Sequence, residues 1–329
     1  DRSRVAAMCV TPQRQSFGLF RSDGEPIRRG PLWLDSRAAD QVLRYGSEAV
    51  HVLSGMPPDV TPSLYKLAWL KENEPELLRA ADKVVGVHGY VTFCLTGEWL
   101  DSTATADSLG LYDMSRLDFA DSLLEIAGVS RAQMATLVEA GAIMGEIRAD
   151  ITQRWGLSGA IPLVAGCGDG QAAGLGAGAV GPDEAYLNMG TAIVMGVHSP
   201  TYQYGSVYRT DVAGLPGQYV LEAVQNSGAY LAGWFRENLG DPALGGAPDP
   251  ELDAQAAAAG IGAAGLVVLP YWNAVQSPHW DPVARGAIVG FNGGHERGHV
   301  YRAILEGLSL ETARNLRSMA QDAGTPISR

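Results

Sequence analysis

Short apolar runs alternate with helical patterns along the first half of the chain. The segment from Val5 to Val10 predicts a buried strand, and Gly18 to Phe20 predicts a second one. The Asp23-Gly24 pair that follows tolerates positive φ, which is typical of a tight turn. We therefore expect an antiparallel pair of strands near the start, within an α/β architecture rather than an all-α or all-β one.

Several segments carry helix signals. Thr61 is a candidate N-cap with Pro62 at the first helical position, and a second helix is predicted from about Asn73 to Arg79. A surface helix is predicted after Asp249-Pro250. The segment from about His299 to Met319 predicts a long helix. Its apolar positions, expected on the buried side, are Ile304, Leu305, Leu308 and Leu316.

The chain is long enough for two domains, because 329 residues exceed the size at which a single hydrophobic core keeps growing. A turn-forming cluster, Gly181-Pro182-Asp183, separates the two halves of the pattern. We therefore predict one domain over residues 1–181 and a second over residues 182–329.

Composition and charge narrow the function classes. The net charge of -12 opposes a general attraction to nucleic acid or to anionic membranes, so neither is expected as a partner. Three widely spaced cysteines predict neither a disulfide framework nor a zinc site, and the six histidines show no ligand spacing. No segment has the pattern of a membrane span or of a signal peptide. We expect a soluble cytoplasmic protein without a histidine-bound metal.

The segment Leu163 to Gln171 is an apolar run that ends in a glycine turn bearing one carboxylate, Asp169. Ligands of open α/β sheets bind beyond the carboxyl ends of strands, and glycines allow a substrate to approach closely. Asp169 is therefore a candidate catalytic residue. The alternative is a turn aspartate that caps a helix over residues 171–179.

A second glycine turn, Asn188 to Ala192, lies between two apolar runs and predicts a hairpin. Its amides and the Thr191 hydroxyl are candidate phosphate ligands, since phosphoryl transfer mainly requires donors around phosphoryl oxygens. The alternative is a glycine hairpin that binds nothing.

Two polar segments near the start are candidate sugar-binding sites. Gln13-Arg14-Gln15 offers several hydrogen-bond donors in fixed geometry, which suits a ligand made of hydroxyl groups. Trp33, Asp35 and Arg37 add an aromatic wall and a charge pair. The alternative is that Asp35 and Arg37 form a structural ion pair while Trp33 packs in the core.

In this order the segments resemble the FGGY carbohydrate kinases. Residues 61–73 are similar to the first family signature, with a departure at Thr61. Residues 286–306 are similar to the second, with Phe291 where the family has an aliphatic residue. The resemblance implies the actin-like, RNase H-like two-domain sugar kinase fold, whose domains close over ATP and sugar.

The resemblance also implies roles for the candidate residues. Asp169 falls at the catalytic base, and Gly190, Thr191 and Ala192 fall at a phosphate turn. The sugar-binding positions implied are Gln13, Arg14, Gln15, Trp33, Asp35, Arg37, Gly170 and Gln171. ATP and Mg²⁺ are the implied cofactors, and no residue is assigned as a metal ligand.

Two family features, the opening Asp-x-Gly-Thr hairpin and the C-terminal adenosine loop, do not occur in this chain. We therefore expect an incomplete form of the fold, truncated at both ends, that binds ATP poorly by itself. A ketopentose such as D-xylulose is the favoured substrate. Glycerol, gluconate and other polyols stay open, as do a catalytically inactive sugar-binding regulator and a homodimer.

Overall fold

The computed structural model describes residues 2–328, which form two compact units. The first unit comprises the chain up to Pro182 together with Val197–Tyr204 and Arg209–Leu221. The second comprises Asp183–Gly196, Gly205–Tyr208 and the chain from Glu222 onward. Two short segments that follow position 182 therefore belong to the first unit.

Helices and short strands alternate through the first unit. In chain order its elements are β1 (Met8–Cys9), β2 (Phe17–Phe20), α1 (Ala39–Tyr45), α2 (Glu48–Ser54), α3 (Ser63–Asn73), α4 (Pro75–Arg79), β3 (Lys83–Gly86), α5 (Val87–Thr96), β4 (Leu100–Ser102), α6 (Thr103–Ala106), β5 (Tyr112–Asp113), β6 (Asp118–Phe119), α7 (Asp121–Ala127), β7 (Thr136–Val138), β8 (Ile143–Glu146), α8 (Ala149–Trp155), β9 (Pro162–Val164) and α9 (Asp169–Gly176).

The first two strands do not pair with each other, and the antiparallel pairing near the start lies across the Asp23-Gly24 turn, as a bridge between Phe20 and Pro26. Strand β1 runs parallel to β9, with Met8 opposite Leu163, in a three-stranded sheet of order β1-β9-β8. Strand β2 instead pairs antiparallel with β3. The turn after β2 is present as predicted, with Gly24 at φ +90°. Local patterns indicate strands, whereas distant segments decide which strands pair.

Strand β1 is also shorter and less buried than expected. It spans only Met8–Cys9, and Ala6, Ala7 and Cys9 are exposed. The reason is its place at the edge of the three-stranded sheet, where one side of the strand lacks a covering neighbour within the described residues. An apolar run by itself does not distinguish an edge strand from a central one.

Helix α3 begins at Ser63, one residue later than the cap signal indicated. Pro62 is its N-cap and makes no side-chain capping bond. The Thr61 hydroxyl donates to Asp59 at 2.7 Å instead, which removes it from the helix end. Helix α4 confirms the second helix predicted in this region.

The core of the first unit lies around α3. Leu64, Tyr65, Leu67 and Leu70 of this helix are at most 1% exposed. They pack in one apolar cluster with buried residues of β2, β3 and α7. Burial of four such side chains supplies on the order of 6–12 kcal/mol of favourable transfer free energy. The same cluster includes Phe17 of β2 and Cys167, which follows β9.

The remaining elements include strands shared by the two units. In chain order they are β10 (Ala185–Met189), β11 (Ile193–Ser199), β12 (Arg209–Val212), β13 (Tyr219–Gln225), α10 (Ala229–Leu239), α11 (Pro250–Ala258), β14 (Val267–Leu269), β15 (Ala287–Val289) and α12 (Arg297–Ala323). Four of the strands form a sheet of order β10-β11-β13-β12. Strands β11 and β13 each contribute residues to both units.

The core of the second unit lies between α10, α11, α12 and β14. The predicted surface helix is α11, where the Asp249 carboxylate accepts from the N–H of Leu252 at 3.0 Å. The predicted long helix is α12, with Ile304 and Leu308 buried. Leu305 is 36% exposed, so its expected burial is wrong. Among the described residues, no helix combines the length and apolarity that crossing a bilayer requires.

Candidate active site

The loop after β9 passes very close to the end of β1. A Cβ atom on Gly166 would lie 2.0 Å from the carbonyl oxygen of Val10, so only glycine fits there. Three residues on, the N–H of Asp169 donates to the carbonyl of Pro12 at 3.1 Å. Because β1 and β9 are parallel, their carboxyl ends lie at the same edge of the sheet. The structure thus places Asp169 beside the segment that begins at Gln13.

Asp169 is the first residue of α9 and its side chain is exposed. Gly168, not Asp169, is the N-cap, and the amide oxygen of Gln171 accepts from the N–H of Gly168 at 3.0 Å. One carboxylate oxygen of Asp169 accepts from the N–H of Gly170 at 2.9 Å. The alternative of a capping aspartate therefore does not describe this residue, since Gln171 satisfies the helix end.

Gln171 is almost completely buried. Its amide nitrogen donates to the carbonyl of Val212 at 2.8 Å, while its oxygen serves the helix end. Both ends of the amide are therefore engaged within the protein. This placement favours a role in positioning the loop over direct contact with a sugar. Gly170 is partly exposed next to Asp169.

The segment after β1 presents one exposed and one buried glutamine. Gln13 is exposed, and its amide donates to the Ser16 hydroxyl at 3.3 Å. Gln15 is 5% exposed and adopts φ 64°, the left-handed region that residues other than glycine rarely occupy. Hydroxyl groups of Ser63 and Ser108 bond its backbone. Such a conformation persists only where the surroundings enforce it, and functional sites are where it concentrates.

The guanidinium group of Arg14 lies between two carboxylates. It is 2.6 Å from Asp107 and also forms an ion pair with Asp211, and the Arg14 side chain is only 7% exposed. Burial raises the pKa of Asp107 to about 6, and the nearby Asp211 adds to the rise while Arg14 opposes it. Arg14 is therefore a buried and compensated cation rather than an exposed one.

Trp33, Asp35 and Arg37 occupy the loop that precedes α1. The Trp33 N–H donates to the Ser16 hydroxyl at 3.0 Å, which links this loop to Gln13. Trp33 is 36% exposed, so the alternative that it packs in the core is wrong. Asp35 and Arg37 form an ion pair at 2.9 Å, and the bond from Arg37 holds the pKa of Asp35 below its usual value. The ion pair is therefore present, and the Trp33 ring is partly exposed.

Lys66 of α3 contacts this loop through the carbonyl of Trp33. It was not identified as a site residue from the sequence. Its ammonium group is fully buried and donates to the carbonyls of Thr61 at 2.6 Å and Val60 at 3.1 Å. A third bond, at 3.5 Å, reaches the carbonyl of Trp33. Burial lowers the pKa of Lys66 to about 8. The signal in the sequence was a lysine on the otherwise apolar face of α3.

A narrow cleft in the first unit is lined by residues that follow β1 and by a His-Asp pair. His88 is 1% exposed, and its Nδ1 atom lies 2.9 Å from Asp101. Its Nε2 atom accepts from the N–H of Gly166 at 3.4 Å. The Thr105 hydroxyl donates to the same carboxylate at 2.6 Å. The pair thus holds the loop that leads to Asp169.

The predicted hairpin turn is present in the second unit, where Gly190, Thr191 and Ala192 join the adjacent strands β10 and β11. The carbonyls of Gly190 and Thr191 accept from the N–H groups of Ala229 and Gly228 at 2.9 and 2.8 Å. The start of α10 therefore holds the turn. Gly190 and Thr191 are exposed, and the Thr191 hydroxyl is a donor of the type that phosphate oxygens require.

The described part of the chain lacks a cluster of side chains that could coordinate a metal ion. Over residues 2–328, no three or more His, Cys, Asp or Glu side chains are arranged to hold a metal ion. A magnesium ion that enters with a nucleotide is bound largely by phosphate oxygens and water.

Comparison with known protein families gives one match in each half of the chain. Residues 1–176 match the N-terminal domain of the FGGY family of carbohydrate kinases, and residues 185–329 match its C-terminal domain. The chain belongs to this family. It is 29% identical over 316 residues to the xylulose kinase of Escherichia coli, covering 94% of this chain and 63% of that protein.

Other family members with different substrates are equally similar. The glycerol kinase of Bordetella pertussis is 29% identical over 345 residues, covering 98% of this chain and 66% of that protein. The chain therefore spans about two thirds of the length of these FGGY relatives.

Solved structures of FGGY kinases have the same fold. The xylulose kinase from Rhodospirillum rubrum superposes with a TM-score of 0.89 at 27% identity, over 98% of this chain and 66% of that one. The gluconate kinase from Lactobacillus acidophilus gives 0.86 at 26% identity, over 94% and 64%. These matches confirm the two-domain α/β sugar kinase fold. They also show that FGGY members of different specificity resemble this chain about equally.

Proposed function

We propose that the protein is an ATP-dependent carbohydrate kinase whose substrate is a ketopentose such as D-xylulose. The observation that carries the proposal is the position of Asp169. This exposed carboxylate begins α9 at the strand edge where Gln13 is also exposed. Family membership supports phosphoryl transfer to a carbohydrate, and the position of Asp169 supports its role as the base.

In the proposed reaction, the Asp169 carboxylate accepts the proton of a sugar hydroxyl as the hydroxyl oxygen attacks the γ-phosphorus of ATP. A new O–P bond forms, the bond to the β-γ bridging oxygen breaks, and ADP leaves. Magnesium bound with the nucleotide supplies charge neutralisation at the phosphates. Gly190, Thr191 and Ala192 are the proposed phosphate-binding turn, with the exposed Thr191 hydroxyl as a donor.

The neighbouring residues of the first unit have distinct tasks in this proposal. Gln13 is the exposed donor to sugar hydroxyls, and the half-exposed Trp33 ring is the wall of the site. Asp35 and Arg37 hold the loop that carries the ring. Arg14, Gln15 and Gln171 are buried and position the two polar segments.

The test is a release assay for ADP with full-length protein, run against D-xylulose, D-ribulose, glycerol and D-gluconate. We expect the highest kcat/KM with a ketopentose. Asp169→Asn should lower kcat by roughly 10³-fold, because a positioned base contributes about that factor, while the dissociation constant for the sugar changes little. Asp150→Asn on the exposed surface is the matched control and should leave both values unchanged.

Each other outcome has a clear meaning. Near-normal turnover of Asp169→Asn would show that Asp169 is not the base. Sugar binding without ADP release from any substrate would contradict the kinase proposal and favour a sugar-binding regulator with the same fold. A higher kcat/KM for glycerol or gluconate would replace the ketopentose as substrate.

A further inference from the structure

The buried charges around Arg14 bear on which sugars this site accepts. One end of the guanidinium group lies 2.6 Å from Asp107, and the other forms an ion pair with Asp211. Both aspartate side chains are completely buried, and that of Arg14 is 7% exposed. The carboxylates of Asp107 and Asp211 thus lie on both sides of Arg14, the cation of the proposed sugar-binding segment.

The rest of the fold holds the two aspartates in place. Asp107 accepts from the N–H groups of Val212 and Ser108, each at 2.7 Å. Asp211 also lies 3.8 Å from Arg209, whose guanidinium group donates to the Gln15 side chain at 3.3 Å. Withdrawing Arg14 would leave buried carboxylates without their cation, at a cost of about 3–5 kcal/mol. Arg14 is therefore not free to turn toward a ligand.

The positive charge of Arg14 is compensated within the protein. Asp107 and Asp211 each form an ion pair with its guanidinium group. A carboxylate ligand needs an uncompensated cation or several aligned donors, because its desolvation is costly otherwise. Uncharged hydroxyl groups need only ordinary donors and acceptors. Arg14, which is paired with both aspartates, therefore offers little attraction to an anionic substrate.

The adjacent cleft strengthens the same preference. Its lining includes Gln13 and Ser16 together with the compensated Arg14. The buried Asp101 carboxylate in the same lining is bound by His88 and Thr105. Asp169 adds a second, exposed carboxylate at the neighbouring strand end. A negatively charged substrate would be repelled by the exposed Asp169 carboxylate, whereas a neutral polyol could donate a hydroxyl hydrogen to it.

We propose that Asp107, by compensating Arg14, makes this site select uncharged polyols and ketoses and reject sugar acids. The inference rests on the proposed kinase function and adds the charge class of its substrate. Asp107 does not contact the sugar in this proposal. It acts through Arg14 as a specificity-determining residue, because it removes the attraction that a free guanidinium would exert on a carboxylate.

The experiment compares full-length wild type with Asp107→Asn in the ADP-release assay. The substrates are the matched pair D-gluconate and D-glucitol, which differ at one carbon and in charge, with D-xylulose as the reference sugar. Wild type should show a lower kcat/KM with gluconate than with glucitol. Asp107→Asn leaves Arg14 partly uncompensated, so the ratio of gluconate to glucitol should rise by about tenfold, the effect of 1.4 kcal/mol.

Asp121→Asn is the matched control, because it removes the same charge from an exposed pair with Arg131. Its substrate ratio should equal that of wild type. An unchanged ratio in folded Asp107→Asn would overturn the inference. Should that variant fail to fold, a wild-type preference for gluconate over glucitol would still overturn it, and the reverse preference would support it. Absence of ADP release with every sugar, D-xylulose included, would instead contradict the kinase proposal.

Discussion

The N–H of Asp169 donates to the carbonyl of Pro12 at 3.1 Å, and this single bond joins two segments that are far apart in sequence. The residue after Pro12 is the exposed Gln13, and the residue before Asp169 is Gly168. A Cβ atom on Gly168 would lie 2.3 Å from Cδ of Arg14. The proposed base and the proposed sugar-binding segment therefore lie next to each other, and Gly168 leaves no room for a side chain beside Arg14.

Replacing Gly168 by alanine should disturb this packing. The added methyl group meets an arginine that its two ion pairs hold in place, so the loop must move instead. We expect a loss of about 1–3 kcal/mol in the free energy of unfolding, as overpacked sites show, and a higher KM for the sugar. Gly176→Ala at the other end of α9 meets no atom within 4 Å and is the control. Equal stability of the two variants would contradict the packing argument.

Asp107 should make the stability of the protein depend on pH. Burial raises its pKa to about 6 from an unfolded value of 3.8, so the folded state binds this proton more tightly. Its favourable contribution is therefore complete below about pH 4 and is lost as pH rises through about 6. In chemical denaturation, the free energy of unfolding of wild type should fall between pH 5 and 7.5 by roughly 1 kcal/mol more than that of Asp107→Asn. Parallel pH profiles for the two proteins would exclude this titration.

His88 should act on turnover through the loop that leads to Asp169. Its ring joins Asp101 to the N–H of Gly166, and His88→Phe removes both bonds while keeping a planar ring. We expect kcat to fall by about tenfold or more, because a small displacement of a reacting group has effects of this size. His88→Gln retains an oxygen that can accept from Gly166 and should recover part of the rate. Loss of stability without any change in kcat would limit His88 to a structural role.

Gly228 should be required by the proposed phosphate turn. A Cβ atom there would lie 2.8 Å from both Ala192 and the carbonyl oxygen of Gly190. Gly228→Ala should therefore displace the turn and raise the KM for ATP more than the KM for sugar, because only the nucleotide is proposed to contact it. Gly233→Ala in the following helix meets only the end of Arg236 at 3.9 Å and is the control. An unchanged KM for ATP in Gly228→Ala would argue against a nucleotide role for the turn.

Local sequence patterns predicted many residues of the candidate site but few of the contacts between them. The apolar run, the glycine turn and Asp169 are contiguous, so their order along the chain already indicates a strand, a close approach and a helix start. The same holds for the hairpin turn at Gly190. Asp107 and Asp211 were missed, because nothing in their neighbouring residues shows that they meet at Arg14. For Asp107, a charge beside small apolar residues was the available signal.

By itself, the sequence determined which residue types stand at each turn, the tendency of each segment toward helix or strand, and the membership of both halves in one kinase family. These properties depend on short-range sterics, periodicity and motif spacing, all of which are readable along the chain. The tertiary structure alone decided that β1 pairs with β9, that Gln15 adopts a left-handed conformation, and that Arg14 is enclosed by two carboxylates. Each of these depends on atoms brought together from distant segments, so burial and charge compensation arise only once the chain has folded.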